Sequence, residues 1–200
     1  MGRNKAFDRE AAVKIVMQEI WRIGYEACSV KAISEKLGIT RSSFYNSFGT
    51  REKLFLEVLH VYFEQSPDRN LDKINGDKPV LPEICRIFKT VCMVMAHDPE
   101  SKGCLAINSL VELVGINDEL GADISGAVKV RVELFEKLLR LAAEKGEITD
   151  KNISSKAISL QSVLIGINVI CKVIQDGDSL WSSTKQTLAG LGVYHDSFEI

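Results

Sequence analysis

The run KAISEKLGITRSSFYNSF, residues 31–48, breaks at Gly38, and that break constrains the fold more than any other feature of the chain. Ile33 and Leu37 keep helical spacing before it, and Phe44 and Phe48 keep it afterwards. A glycine between them admits the left-handed backbone of a tight turn. Ile33, Leu37, Ile39, Phe44 and Phe48 then have the spacing of a small shared core that holds two short helices crossed. Arg41, Ser42, Ser43, Tyr45, Asn46 and Ser47 are left on the other side of the second helix. This is the helix-turn-helix plan.

The rest of the chain also reads helical. No stretch alternates apolar and polar residues for long, and Asn75–Gly76 falls in an evident loop. A first helix runs from behind Asp8 to Gly24 with Ala12, Ile15, Val16, Ile20 and Ile23 on its apolar stripe. Ser29 caps the second, and a fourth starts behind Thr50 with Leu54, Phe55, Val58, Leu59, Tyr62 and Phe63. Residues 66–82 hold prolines and an Asn-Gly-Asp, so they read as a linker or loop. Longer, more apolar helices follow over about 81–97, 102–114, up to 146, 153–175 and 179–191. The expected fold class is all-α. A three-helix helix-turn-helix head (residues 1–50) is joined to a larger helical regulatory and dimerisation body (residues 51–200).

Charge divides the same way. The formal net charge is −2, yet the first 53 residues carry ten Lys and Arg against six Asp and Glu. A basic head on an acidic body places a polyanionic partner at the front. The polar face of the third helix fits a major groove. Its short side chains permit close approach, Arg or Asn can reach base edges, and the free N–H groups of its first turn suit a phosphate. Arg3 and Lys5 form a basic arm suited to a neighbouring minor groove or to solvent.

Five widely scattered cysteines, with no CxxC and no Cys/His cluster, give no zinc or disulfide framework. Glu57-Val-Leu-His60 matches one element of a di-iron bundle but lacks its second copy. No nucleophile–base pairing and no phosphate-binding glycine loop is readable. Neither an enzyme nor a cofactor or metal is therefore expected. The opening MGRNKAFDRE has no apolar segment, and Gln161, Asn168 and Lys172 interrupt the most apolar stretch. A soluble cytoplasmic protein, with no membrane partner, is the expectation.

At the residues of the head the chain resembles the TetR/AcrR family of bacterial transcriptional regulators. The family pattern stands here as Gly24-Tyr25, Ser29, Ile33-Ser34, Gly38-Ile39-Thr40 and Phe44-Tyr45-Asn46-Ser47-Phe48-Gly49-Thr50-Arg51-Glu52-Lys53-Leu54. Ser34 replaces the Ala of that pattern, Ser47 a usual His, Ser42 a frequent Gly and Cys28 a frequent Thr. The resemblance implies that Ser29, Tyr45 and Arg51 touch phosphates, while Lys31, Arg41, Ser42, Ser43 and Asn46 face the groove. It implies a homodimeric, ligand- or redox-responsive regulator, a repressor in the usual case, on a near-palindromic double-stranded operator. The last two helices would form the dimer bundle, with Leu164, Ile167, Cys171, Trp181 and Leu188 at the contact. The alternative is a helical small-molecule carrier or adaptor whose head binds no specific DNA.

The body offers candidates for a small-molecule effector. Cys104 stands near a helix N-terminus beside Lys102, both of which favour a reactive thiolate, and its GCL segment resembles thiol-sensing members of that family. Gln161 and Asn168 lie seven apart on one face of the most apolar helix, and Asn108 one turn beyond Cys104 can join them; a ligand or a dimer contact would serve these amides equally. Cys92 with Phe88 and Met95 forms an apolar stripe that reads as core or pocket wall.

Overall fold

The computed structural model describes residues 8–200. Among them it has nine α-helices, one 3-10 segment and no strand. The head comprises α1 (Arg9–Ile23), α2 (Val30–Leu37) and α3 (Arg41–Phe48), followed by α4 (Arg51–Gln65). Each begins on a short oxygen-bearing side chain that accepts a backbone N–H left free by the first turn. Asp8 takes that of Ala11 at 3.0 Å, Ser29 that of Ala32 at 3.2 Å, Thr40 that of Ser43 at 3.1 Å and Thr50 that of Lys53 at 3.1 Å. Gly38 ends α2 at φ 66°, ψ 32°, the left-handed turn expected of it.

The buried stripe of α1 is Ala12, Val13, Val16, Met17 and Ile20. Ile15 and Ile23, expected on that stripe, are instead 44% and 39% exposed. Helical spacing alone cannot choose which isoleucines turn inward when they occur on both sides of the helix. Arg9 fastens the head to α4: its guanidinium pairs with Glu57, its Nε donates to the Ser47 carbonyl, and it lies over the Phe48 ring. Glu57 is thereby engaged in packing.

In the body, α5 (Val80–Ala96), α6 (Leu105–Leu113), α7 (Asp118–Glu144), α8 (Ile153–Ile170) and α9 (Gly177–Gly190) form the bundle. The main pairings are α7 with α8 and α5 with α9, while α6 touches α1 and α4 as well as α7 and α8. The stretch read as a linker is partly built in: Pro67–Lys73 winds into a 3-10 segment against α5, with Leu71 fully buried. Pro79 gives α5 no side-chain cap, and the carboxylate of Glu147 fills that role from across the bundle, accepting from Val80 N and Leu81 N at 2.9 Å each.

Helix α8 is long and apolar enough, by length and composition alone, to cross a membrane. Its inner face (Leu160, Leu164, Ile167) packs within the bundle, while Ile158, Val169 and Ile170 stand exposed. Leu164, Ile167, Cys171, Trp181 and Leu188 were expected at a dimer contact. All five are buried inside the single chain and cannot supply that contact.

Ser34 is 3% exposed, and its hydroxyl has no hydrogen-bond partner. An unmade hydrogen bond of a buried hydroxyl costs roughly 1–3 kcal/mol. Ser34→Ala should therefore stabilise the head by about 1 kcal/mol, read as a higher urea midpoint with unchanged slope.

Candidate nucleic-acid interface and effector cavity

Helix α3 is anchored by Phe44 and Phe48, which are buried against the head, and this fixes which side faces outward. Arg41, Ser42, Ser43 and Asn46 are exposed on that outer side, and Tyr45 is 53% exposed. The Tyr45 ring meets Phe44 edge-on at 5.5 Å, which limits its wander and holds the hydroxyl outward. The Ser43 hydroxyl pairs with Thr40 Oγ1 at 2.9 Å, so part of its capacity is spent in the cap. Ser29 stands exposed at the start of α2, and Lys31 is held from Glu35 by 3.9 Å in a loose surface pair.

Arg51 departs from expectation. Its guanidinium sits 4.0 Å from the centre of the Tyr25 ring and bonds Glu26 at 3.1 Å, leaving the side chain 21% exposed. It braces the loop after α1 instead of standing free for a phosphate. Burial pushes the Tyr25 hydroxyl up to about 12, and that hydroxyl donates to Glu52. Lys53, exposed in the first turn of α4, is the cation that residue patterning passed over. Arg3 and Lys5 lie outside the described residues.

A cavity of about 470 Å³ opens between α4, the 3-10 segment, α6, α7 and α8. Its walls are mostly apolar, and Cys104, Gln161 and Asn168 all line it. Asn168 is already satisfied through its own helix, its amide donating to the Leu164 carbonyl at 2.8 Å. The other candidates are placed elsewhere. Phe88 stacks on Phe135, the Cys92 thiol meets the Thr184 hydroxyl facing α9, and Met95 is buried off the cavity. Asn108 is turned to the loop before α6, donating to the Lys102 carbonyl at 2.8 Å and accepting from Lys172 at 2.6 Å. Missed in the sequence is Arg131, which comes from mid-α7 to the cavity between Asp68 and Asp72 at 3.5 and 3.6 Å.

The structure also reverses the expected activation of Cys104. The Lys102 ammonium lies over the Trp21 ring at 4.9 Å and pairs with Asp98 and Glu100, so its charge is spent there. The thiol does receive the Tyr62 hydroxyl and backbone N–H groups of α6, but burial outweighs them and pushes its pKa up. It rests as a thiol, not a thiolate.

Comparison with known proteins agrees with this architecture. Residues 17–58 match the family model described as bacterial regulatory proteins, tetR family. The head therefore carries a TetR-type helix-turn-helix match, within residues 17–58. A Bacillus subtilis (strain 168) relative, the uncharacterised HTH-type transcriptional regulator YezE, is 28% identical over 96% of this chain and all of its own length. The Escherichia coli (strain K12) HTH-type transcriptional repressor ComR is 24% identical over 84% of this chain and 81% of its own. Among solved structures, a cysteine mutant of the TetR-family regulator CifR in complex with a 26-bp operator is 24% identical. It covers 94% of this chain and 98% of its own, with a TM-score of 0.82. AibR, solved with isovaleryl coenzyme A and operator DNA, is 17% identical, covers 90% and 96%, and gives 0.65. The protein is accordingly a DNA-binding transcriptional regulator with a TetR-type head, and its all-helical fold is like that of these solved regulators over nearly the whole chain.

Because its raised pKa keeps Cys104 protonated, the folded protein should alkylate there slowly at neutral pH. Iodoacetamide labelling followed by mass spectrometry should show the Cys104 rate rising at a higher pH than that of an ordinary thiol. In urea-unfolded chain the rise should come near the ordinary thiol value, around 8.5.

Proposed function

We propose that this regulator is a cytoplasmic repressor that binds a near-palindromic double-stranded operator as a homodimer and is released by a small molecule held in the body cavity. Residues 1–50 serve as the reading head and residues 51–200 as the regulatory and dimerisation body, with α4 shared between them. The observation that carries the reading is the outer face of α3. Arg41, Ser42, Tyr45 and Asn46 stand exposed directly above two buried phenylalanines, a short polar surface held rigidly outward. Such a face reads base edges, while Ser29, Tyr45, Lys53 and the N-termini of α2 and α3 hold phosphates; Lys31 and Ser43 flank the groove.

Dimerisation is supported by what α8 leaves uncovered. Ile158, Ser162, Val169 and Ile170 of α8 stand exposed, with Val173 at 84% exposure in the turn that follows, as do the small residues Ser182, Ser183, Ala189 and Gly190 of α9. Apolar and small side chains on two adjacent helices permit the close approach of a second copy. Effector control is supported by the cavity and by α6, whose first turn lines it and whose last turn carries Glu112 to the head. An effector must bind the two body shapes with different affinity in order to shift the heads.

Selection of bound duplexes from a random pool should enrich a two-fold symmetric site. A double Arg41→Ala, Tyr45→Ala variant should lose that specificity while keeping its melting temperature; an unenriched pool with folded dimer sinks the reading. Val169→Glu, on the exposed face, should shift the protein from dimer to monomer by light scattering and cost at least tenfold in operator affinity, about 1.4 kcal/mol or more.

A further inference from the structure

From the unpartnered polar groups on its wall, we infer that the cavity takes an uncharged apolar molecule carrying one group that both donates and accepts a hydrogen bond: an alcohol, a phenol or a carboxamide. The inference rests on the effector reading above and names the effector's chemistry. Gln161 is 6% exposed, and its carbonyl oxygen is buried without a hydrogen-bond partner. Buried polar atoms of native proteins are almost always paired, so an orphan on a cavity wall marks where a ligand atom belongs. That oxygen accepts only, so the ligand must donate to it.

Arg131 also lines the cavity, and its Nη1 is buried and makes no hydrogen bond. The carboxylate facing it, Asp72, stands at 3.6 Å, an ion pair beyond ordinary hydrogen-bond reach, while Asp68 faces the other nitrogen, Nη2, at 3.5 Å. A guanidinium N–H can only donate, so the ligand must also accept. Charge decides among the groups that do both. Asp68, Asp72 and Asp123 line the cavity against one arginine, with His60 at the mouth. This excess of negative charge opposes a carboxylate, a phosphate or any other anionic head. A cationic amine would suit the aspartates but leaves the arginine N–H unpaired. A neutral hydroxyl or amide satisfies Gln161 and Arg131 together and brings no charge into a mostly apolar chamber. The apolar walls, including Leu59, Phe63 and Leu164, accept the rest of the molecule.

One aromatic body with different heads tests this in the intact protein without DNA. 1-Naphthalenemethanol and 1-naphthamide are compared with 1-methylnaphthalene, 1-naphthoate and 1-naphthylmethylamine by calorimetry and by thermal shift. The expected result is that the alcohol and the amide bind about tenfold or more tightly than the other three. In Gln161→Leu, whose fold is checked by its melting curve, the alcohol should lose its advantage over the hydrocarbon. Arg131→Met should lose it too, by a route that does not depend on Gln161. Tightest binding by naphthoate or by the amine overturns the proposal, and so does equal binding of hydrocarbon and alcohol. Absence of binding by all five up to their solubility overturns it as well. Operator selection by the unmodified protein stands apart from these readouts, so failure of the ligand chemistry is distinguishable from failure of the regulator reading.

Discussion

The carboxylate of Glu112 holds the head to the body. One oxygen accepts from Tyr25 N at 3.0 Å and the other from Glu26 N at 2.8 Å, in the loop just after α1. Hydrogen bonds to an ionised acceptor are among the stronger kind, and two on one carboxylate fix direction as well as distance. The loop must come close for this. A Cβ at Gly24 would fall 2.9 Å from the Glu112 oxygen, and Gly24 also sits at φ 88°, so glycine serves both the approach and the turn. Arg51 then lies over Tyr25 and binds Glu26, tying the same loop to α4. The orientation of the reading face thus depends on one loop gripped from two sides.

Glu112 sits in the last turn of α6, and Cys104 caps that helix's start at the cavity wall. The nine residues of α6 span roughly 13 Å. At the near end the Trp21 indole donates to the Gly103 carbonyl at 2.9 Å, so α1 is held at both ends of α6. On the proposed mechanism a molecule that displaces the cavity side of α6 cannot leave the α1 loop where it was. A short rigid helix tied at both ends transmits tilt, because packed interiors change between discrete arrangements more readily than they deform.

What the sequence made legible was local. Caps at Asp8, Ser29 and Thr50, the stop at Gly38 and the phenylalanine anchors of α3 act within a few residues of themselves, and all appear as expected. Gln161 and Asn168 reached the cavity because seven residues make nearly two turns. Illegible were the choices that depend on distant partners. Glu112 and Glu147 each grip backbone N–H groups more than 60 residues away, and nothing near either residue marks it. Helix α8 is apolar on both faces, so periodicity could not say which isoleucines point inward, and the inner set was taken for the outer. Lys102 beside Cys104 in sequence is not beside its thiol in space, since Trp21 and two carboxylates hold the ammonium elsewhere.

Helix α8 therefore carries two different demands on opposite sides. Its inner face brings Gln161, Leu164 and Asn168 to the cavity, and its outer face presents Ile158, Ser162 and Val169. Gln161 and Ser162 are consecutive residues, about 100° apart around the helix, the first buried and the second exposed. A helix in that position cannot shift toward a bound molecule without shifting the surface proposed to meet the second copy. In a two-fold dimer any such shift is doubled by symmetry before it reaches the heads. The unsatisfied amide of Gln161 fits this arrangement. A polar group left orphaned costs the empty form roughly 1–3 kcal/mol, and a ligand that completes it gains affinity for the form it completes. That difference between two states of one helix is the free energy from which a release signal can be drawn.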